Sequence, residues 1–330
     1  MTKHLTIAAL TISTLTAPAF LVAKKAAKDV RNAPPILWQD PGDLAARDMV
    51  YGPGGSEHQP HGPFKFVKED MEGSSPKFVI TDADGTKWKV KLDSEAHPET
   101  VASRLVWAAG YFADEEYYLP SFQVQGIPAL RRGDKFVEPN GIVHGARLKR
   151  DSKDEEKNGY WKWKDNPFIA TREFNGLRVM MALIDNWDLK DDNNAIHESE
   201  GKKIYLVKDM GASFATTGLK LTHAADKGNL ANYTDSKFIT DVKPPVVNFG
   251  TPSRPALLDA FVVRDFASRV NMEWIGKQIP IDDARWIGSI LARLTPQQIE
   301  SAFVTAGYSP QEVTGFSQVV EQRIADLNRL

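Results

Sequence analysis

The chain has 330 residues, 42% of them hydrophobic, with 41 lysines and arginines against 43 aspartates and glutamates and a formal net charge of -2. That length and apolar content can bury a large core, enough for one two-lobed unit or two domains, and the balanced charge gives no reason to expect nucleic acid, whose partners usually carry a clustered basic surface. Cysteine is absent, which excludes thiolate metal ligands and cysteine nucleophiles and fits export without disulfides.

Met1-Thr2-Lys3-His4 precedes an apolar, threonine-studded stretch from Leu5 to Ala23, and Ala17-Pro18-Ala19 offers the small residues a signal peptidase prefers. Export from a bacterial cytoplasm, to the periplasm or beyond, is the expectation for residues 1–23. The stretch also approaches the ~20 residues of a membrane span, and Lys24, Lys25 and Lys28 follow at once. Positive charge there is commoner beside a retained anchor, so an uncleaved N-terminal anchor is the other expectation. Residues 24–63 are rich in Pro and Gly and read as an irregular arm. Within it Tyr51-Gly52-Pro53-Gly54-Gly55 reads as a plain surface loop, with an anion-binding turn as its rival reading, and His58 and His61 as loop residues rather than a metal pair.

Phe64 to Lys68 reads as a first strand. Lys77 to Ile80 and Lys87 to Leu92 follow as alternating strands, joined by Asp82-Ala83-Asp84-Gly85, whose Asp-Gly step favours a tight hairpin. Between them, Gly73-Ser74-Ser75-Pro76-Lys77 is a turn of small residues. Successive backbone amides there can approach an anion, which makes Ser74 and Ser75 candidate phosphate contacts. If Trp88, Val90 and Leu92 pack the core, Lys87, Lys89 and Lys91 share the opposite face. Pro98 marks a helix start, and Glu99 opens a helix running to about Ala109. Arg147 to Arg150, in GARLKR, is either a phosphate or substrate contact or, the favoured reading, a solvated strand edge. Residues 64–150 thus form a strand-rich region with one helix, Asp151 to Gly159 a charged link, and the rest a mainly helical region.

Phe174, Leu177, Met180, Met181, Ile184 and Trp187 recur at helical spacing, so Thr171 to Asp185 reads as an amphipathic helix. It delivers the heptapeptide WDLKDDN, Trp187 to Asn193. Lys203 to Val207 is a short β-prone run that presents Lys208-Asp209-Met210-Gly211 at its end. Thr216 to Pro252 has little periodicity and carries Lys220, Lys227, Lys237 and Lys243 with Tyr233 and Phe238. It is either a substrate platform or a long surface loop. Thr295-Pro296-Gln297-Gln298 and Ser309-Pro310-Gln311-Glu312 each place a capping hydroxyl, a proline and a box-closing Gln or Glu at a helix start, and Gly307 ends the first of these helices.

These pieces suit phosphoryl transfer, in which a protein orients an acceptor hydroxyl, holds metal against phosphates and neutralises charge on the transferred group. Asp188 could accept or orient the acceptor proton, Lys190 could meet the transferred phosphoryl, Asn193 could offer a neutral oxygen to Mg²⁺, and Asp209 the anionic oxygen that a hard cation prefers. No Gly-x-Ser-x-Gly elbow is present, which disfavours an α/β-hydrolase.

Asp188-x-x-x-x-Asn193 followed by Asp209-Met210-Gly211, after a helix and before helices, resembles the catalytic and metal loops of the protein-kinase-like superfamily. The similarity covers roughly Phe64 to Phe214 and is nearest the atypical branches: HipA-type bacterial toxin kinases, phosphoinositide-3-kinase-like kinases and secretory-pathway kinases. It departs from the eukaryotic type in lacking the Gly-x-Gly-x-x-Gly loop and the His-Arg before the catalytic Asp, where Asn186-Trp187 stands. The chain is also similar to a group of bacterial secreted proteins of comparable length, which implies no activity by itself. The kinase resemblance implies an α+β, bilobal fold, with a small antiparallel-sheet N-lobe over 64–150 and a larger, mainly helical C-lobe over 151–330. It implies ATP and Mg²⁺ as cofactors, Lys91 on the phosphates and Glu99 as its partner, with Lys89 and Glu95 as reserves. The acceptor is an unidentified hydroxyl compound, and AMP transfer or a nucleotide-binding pseudokinase scaffold are the alternatives on the same fold.

Overall fold

The computed structural model describes residues 33–73, 75–151, 159–199, 201–215, 227–250 and 272–330. The apolar leader Leu5 to Ala23, Ser74, most of the charged link and Lys220 lie outside them. Among the described residues no helix is long and apolar enough to cross a membrane.

The fold is mixed α+β. Five strands close into a barrel: β2 (Phe64–Asp70), β3 (Lys77–Thr81), β4 (Lys87–Lys91), β5 (Glu116–Gln125) and β6 (Ile142–Arg150), in the order β2-β3-β4-β6-β5. Alternation drives the closure, because every second side chain faces inward. Phe64, Phe78, Ile80, Trp88, Val90, Tyr117, Val124, Val143 and Leu148 fill the interior. The expected hairpin is present, and Asp82 holds it by accepting from the Asp84 and Thr86 amides at 3.1 and 2.9 Å and from the buried Trp88 indole at 2.8 Å.

The opposite face of β4 and β6 carries charge. Lys91 stands directly across from Arg147 and Lys89 from Lys149. Helix α1 (Ala96–Ala108) packs over this face, with Val101, Leu105 and Val106 turned into a second, larger core. GARLKR is therefore not a solvated edge. It lies in β6, paired on both sides by β4 and β5, so Arg147 and Lys149 are 4% and 8% exposed.

The second core joins α1 to α2 (Arg172–Leu183), α3 (Leu230–Asp235), α4 (Ile281–Leu291), α5 (Pro296–Thr305) and α6 (Pro310–Arg329). Thr171 caps α2 by accepting from the Phe174 amide. Both predicted capping boxes, at Thr295 and Ser309, form on α5 and α6, and Gly307 follows α5 with φ +82°. Two three-stranded sheets accompany the helices. One joins β1 (Pro35–Ile36), β7 (Asn194–Ser199) and β8 (Lys202–Val207); the other joins β9 (Ile239–Lys243), β10 (Val246–Phe249) and β11 (Ile279–Pro280). The segment from Thr216 to Pro252 is thus ordered over its described part, with Tyr233 and Phe238 in the core. Its strands are too short for their alternation to stand out in sequence.

The glycine cluster at 51–55 is not a plain surface loop either. Gly52–Gly54 forms a 3₁₀ turn with both end glycines buried, against Arg104 of α1, which is 1% exposed. The Arg104 guanidinium donates to the carbonyls of Met49, Val50 and Thr100, each at 2.9 Å. Burial holds its pKa down to about 10, still well above neutrality. Arg104→Ala removes the guanidinium donor from the Met49 and Val50 carbonyls and opens a cavity, so it should lower stability by about 3 kcal/mol. The midpoint of urea unfolding checks this.

Candidate active site

Lys91 ends β4 pointing toward α1, and its ammonium is almost fully buried. Nζ lies 2.8 Å from Glu99 Oε2 in the first turn of α1 and 3.0 Å from Glu95 Oε2 just before that helix. It also donates to the Asp209 carboxylate. Glu99 is shared, because Arg147 NH2 approaches the same Oε2 at 2.8 Å. Behind them Arg147 Nε stands 3.5 Å from Glu116, and Lys149 donates to Asp114 at 3.0 Å. Buried charges survive only when compensated. Desolvation pulls the Lys91 pKa down, yet Glu99 and Asp209 outweigh it and hold the pKa above the ordinary value. Conversely, burial opposes ionisation of Glu95, but Lys91 and then Lys227 pull its pKa down to about 2. Burial resists Asp209 as well, and Lys91 leads the groups that keep it well below the usual carboxylate range.

Two loops meet this cluster. The first begins where α2 ends, at Asp185, a buried residue with φ +54°. Arg323 of α6 closes that helix end by donating to the Ala182 and Leu183 carbonyls at 3.2 and 2.9 Å. Asn186 is also buried and accepts from the Asp188 amide at 3.0 Å. Asn193 Nδ2 then donates to the Asp188 carbonyl at 2.7 Å, which fixes the loop and leaves Asn193 Oδ1 as an acceptor for something else. Lys190 Nζ sits 3.2 Å from Asp188 Oδ1. The contact is an ion pair without hydrogen-bond alignment, since that oxygen has no hydrogen-bond partner.

The second loop runs from Asp209 to Phe214, and backbone hydrogen bonds stitch it to the first: Lys208 N to Asn193 O at 2.9 Å, Trp187 N to Ala212 O at 3.2 Å and Phe214 N to Ile184 O at 2.7 Å. Asp209 adopts a left-handed conformation, φ +56° and ψ +47°, which for a non-glycine costs about 1 kcal/mol or more and turns its half-exposed carboxylate to Lys91. Gly211 answers a packing demand, because a Cβ there would lie 2.7 Å from Glu95 Cβ.

The structure thus brings Lys91, Glu99 and Asp209 into direct contact and ties the loop bearing Asp188, Lys190 and Asn193 to the Asp209 loop. Glu95, the reserve partner, joins Glu99 on Lys91 rather than replacing it, whereas Lys89 pairs with Asp151 at 3.1 Å. Ser75 lies at the same end of the barrel as Lys91, since the Leu92 amide donates to Pro76 O at 3.0 Å, but no contact joins it to the cluster; Ser74 is outside the described residues. Arg132 ties this turn down by donating to the carbonyls of Gly73 and Asp70 at 2.6 and 2.9 Å. Glu116 and Asn186 escaped the sequence reading as site residues, whereas Arg147 entered it only as the less favoured reading of GARLKR and Lys227, which pairs with Glu95, only as part of a possible substrate platform. Alternation could have flagged Arg147, because Ala146 and Leu148 are apolar and an antiparallel partner of β4 would put Arg147 on the face of Lys91.

The carboxylate oxygens of Glu95, Glu99 and Asp209 lie within 4.8 Å of one another, and the Lys91 ammonium occupies their midst. The half-exposed Asp209 carboxylate and the Asn193 Oδ1 are both hard oxygen donors of the kind Mg²⁺ prefers.

No protein-family model matches the chain, and no curated protein matches it. Among solved structures it is similar to a Helicobacter pylori proinflammatory kinase, CtkA, at 11% identity and TM-score 0.43, over 80% of this chain and 96% of that one. It is similar as well to the Golgi casein kinase with Mn/ADP bound, at 10% identity and TM-score 0.40, over 82% of this chain and 72% of that one. What the site can do follows from its own side chains.

Burial raises the Glu116 carboxyl from 4.5 to about 8, against the pull of Arg147. Unfolded, it releases its proton near 4.5; folded, only near 8. Between those values the folded state holds the extra proton, so stability falls as pH rises, by on the order of 1 kcal/mol per pH unit. Asp185, raised to about 7 by burial, contributes with the same sign up to that pH. Glu116→Gln should therefore flatten, without abolishing, the fall in melting temperature between pH 5 and 8, a trend that a series of thermal melts reads directly.

Proposed function

We propose that the chain is an ATP- and Mg²⁺-dependent phosphotransferase of atypical kinase type, with a bilobal architecture in which the barrel and α1 stand over the helical region. The observation that carries this reading is the Lys91–Glu99 pair joined to Asp209, on a loop stitched strand-like to the one bearing Asp188 and Asn193. Catalysis of this kind needs positioning and charge neutralisation rather than covalent intermediates, and the cluster supplies both.

In this reading Lys91 moves its hydrogen bonding from Asp209 to the α- and β-phosphates, while Glu99, itself held by Arg147, keeps the ammonium in place. Asp209 and Asn193 hold Mg²⁺, which when bound supplies positive charge against the phosphates. Asp188 orients the acceptor hydroxyl and takes its proton as the hydroxyl oxygen bonds to the γ-phosphorus and the bond to the leaving ADP oxygen breaks. Lys190, beside Asp188, meets the transferred group. Export of the protein, by the leader at 1–23, belongs to the same proposal. A second reading, a nucleotide-binding scaffold without turnover, has one observation in its favour: the Lys91 ammonium is already engaged by three carboxylates.

ATP with Mg²⁺ should raise the melting temperature of the protein, a response that mass action makes about 3 kcal/mol at a hundredfold excess over Kd. Asp188→Asn should keep that response and lose roughly 10²- to 10⁴-fold in turnover, whereas Asp209→Asn should lose the Mg²⁺-dependent part of the shift. Unchanged turnover in Asp188→Asn removes Asp188 from the mechanism; a shift with ATP but no transfer of phosphate in the parent protein selects the scaffold, and AMP on the product, seen by mass spectrometry, selects nucleotidyl transfer.

A further inference from the structure

A cavity of about 500 Å³ opens directly beside the Asp188 loop, lined by Leu189 to Asp192 on one side and by Tyr160, Lys162, Trp163, Lys164 and Trp274 on the other. Its walls are held in place. Trp163 is buried, and its amide donates to Asp191 Oδ1 at 3.0 Å. The backbone carbonyl of Trp274 accepts from Arg178 of α2 at 3.0 Å, and the Arg178 guanidinium also lies 5.1 Å from the Trp274 ring.

The chemistry of the lining is uneven. Lys162, Lys164 and Lys190 line it together with Asp191 and Asp192; Asp191 accepts from the Trp163 amide and Lys190 pairs with Asp188. Lys164 Nζ stands 5.9 Å over the Trp274 ring, so positive charge and an aromatic surface are offered side by side. Tyr160, 54% exposed, adds a second aromatic wall. Lys190 belongs both to this lining and to the Asp188 ion pair, so a molecule in the cavity has the Asp188 carboxylate within one side chain of it.

We propose that this cavity is the acceptor site and that its ligand is a small anionic polyol, a single sugar-like ring carrying a phosphate or carboxylate. The assignment rests on the phosphotransferase reading above. The anion meets Lys162 and Lys164, the apolar face of the ring lies on Trp274, and a hydroxyl is presented past Lys190 toward Asp188. The volume falls in the range of small-ligand pockets, about 300 to 1,000 Å³. An extended polypeptide acceptor would want an open groove instead.

The test uses the full chain, tryptophan fluorescence, and glucose 6-phosphate and glucuronate as probes, with glucose as the neutral control. Both anions should quench saturably and glucose at least tenfold more weakly. In the Lys162→Glu/Lys164→Glu variant the anions should bind at least tenfold more weakly, while its melting-temperature rise with ATP and Mg²⁺ stays that of the parent. Absence of saturable quenching by either anion, equal binding by the variant, or transfer to dephosphorylated casein that the variant leaves unchanged overturns the proposal. A nucleotide response without anion binding overturns the cavity assignment alone; anion binding without any nucleotide response removes the transferase reading and the acceptor role with it.

Discussion

Lys91 is an ammonium group taken almost wholly out of water, and the free energy of that burial is recovered only if carboxylates come to it from the surrounding elements. That requirement fixes the local architecture. Glu99 must face β4, so α1 is set over the barrel; Asp209 must turn back toward it, so the loop after β8 adopts a left-handed residue; and Arg147 must sit on the neighbouring strand to balance the carboxylate that Lys91 shares. Remove the ammonium and three acids face one another, with Arg147 on Glu99 and Lys227 on Glu95 as the close cations that stay.

The same constraint connects structure to chemistry. In the proposed reaction Lys91, kept in place by Glu99, would turn to an anion, and Asp209 would exchange that ammonium for a cation. The two loops below it are held for ordinary reasons: an asparagine closing its own loop, three backbone hydrogen bonds between loops, and a glycine where Glu95 approaches too closely for any side chain. Each device uses short-range forces to set a long-range arrangement, since Lys91 and Asp209 are 118 positions apart in sequence.

Much of this was legible beforehand because it is written in local patterns. The β3–β4 hairpin announces itself by alternation and an Asp-Gly step, α2 by its apolar period, and α5 and α6 by their capping boxes; the Asp188, Asn193 and Asp209 spacing is visible as letters. What stayed hidden depends on pairing. Arg147 reads as a solvated basic residue until β6 is known to be flanked on both sides. Gly52 and Gly54 read as a loose loop until the Arg104 side chain is seen packed against the first and the Tyr117 hydroxyl against the second. Glu95 and Glu99 lie one helical turn apart, and nothing in the sequence alone says that both reach one ammonium. The strands between 239 and 249 are too brief to show a period.

Arg323 carries a consequence for the order in which the molecule becomes competent. Its guanidinium finishes the end of α2 from 140 positions further along the chain, so the loop that bears Asp188 leaves the ribosome long before the residue that shapes its first turn. A nascent or clipped polypeptide holding every proposed reacting group, yet missing α6, has the ingredients of the site without its form. The form of the proposed site therefore depends on α6 and not only on the segment where its reacting groups are written.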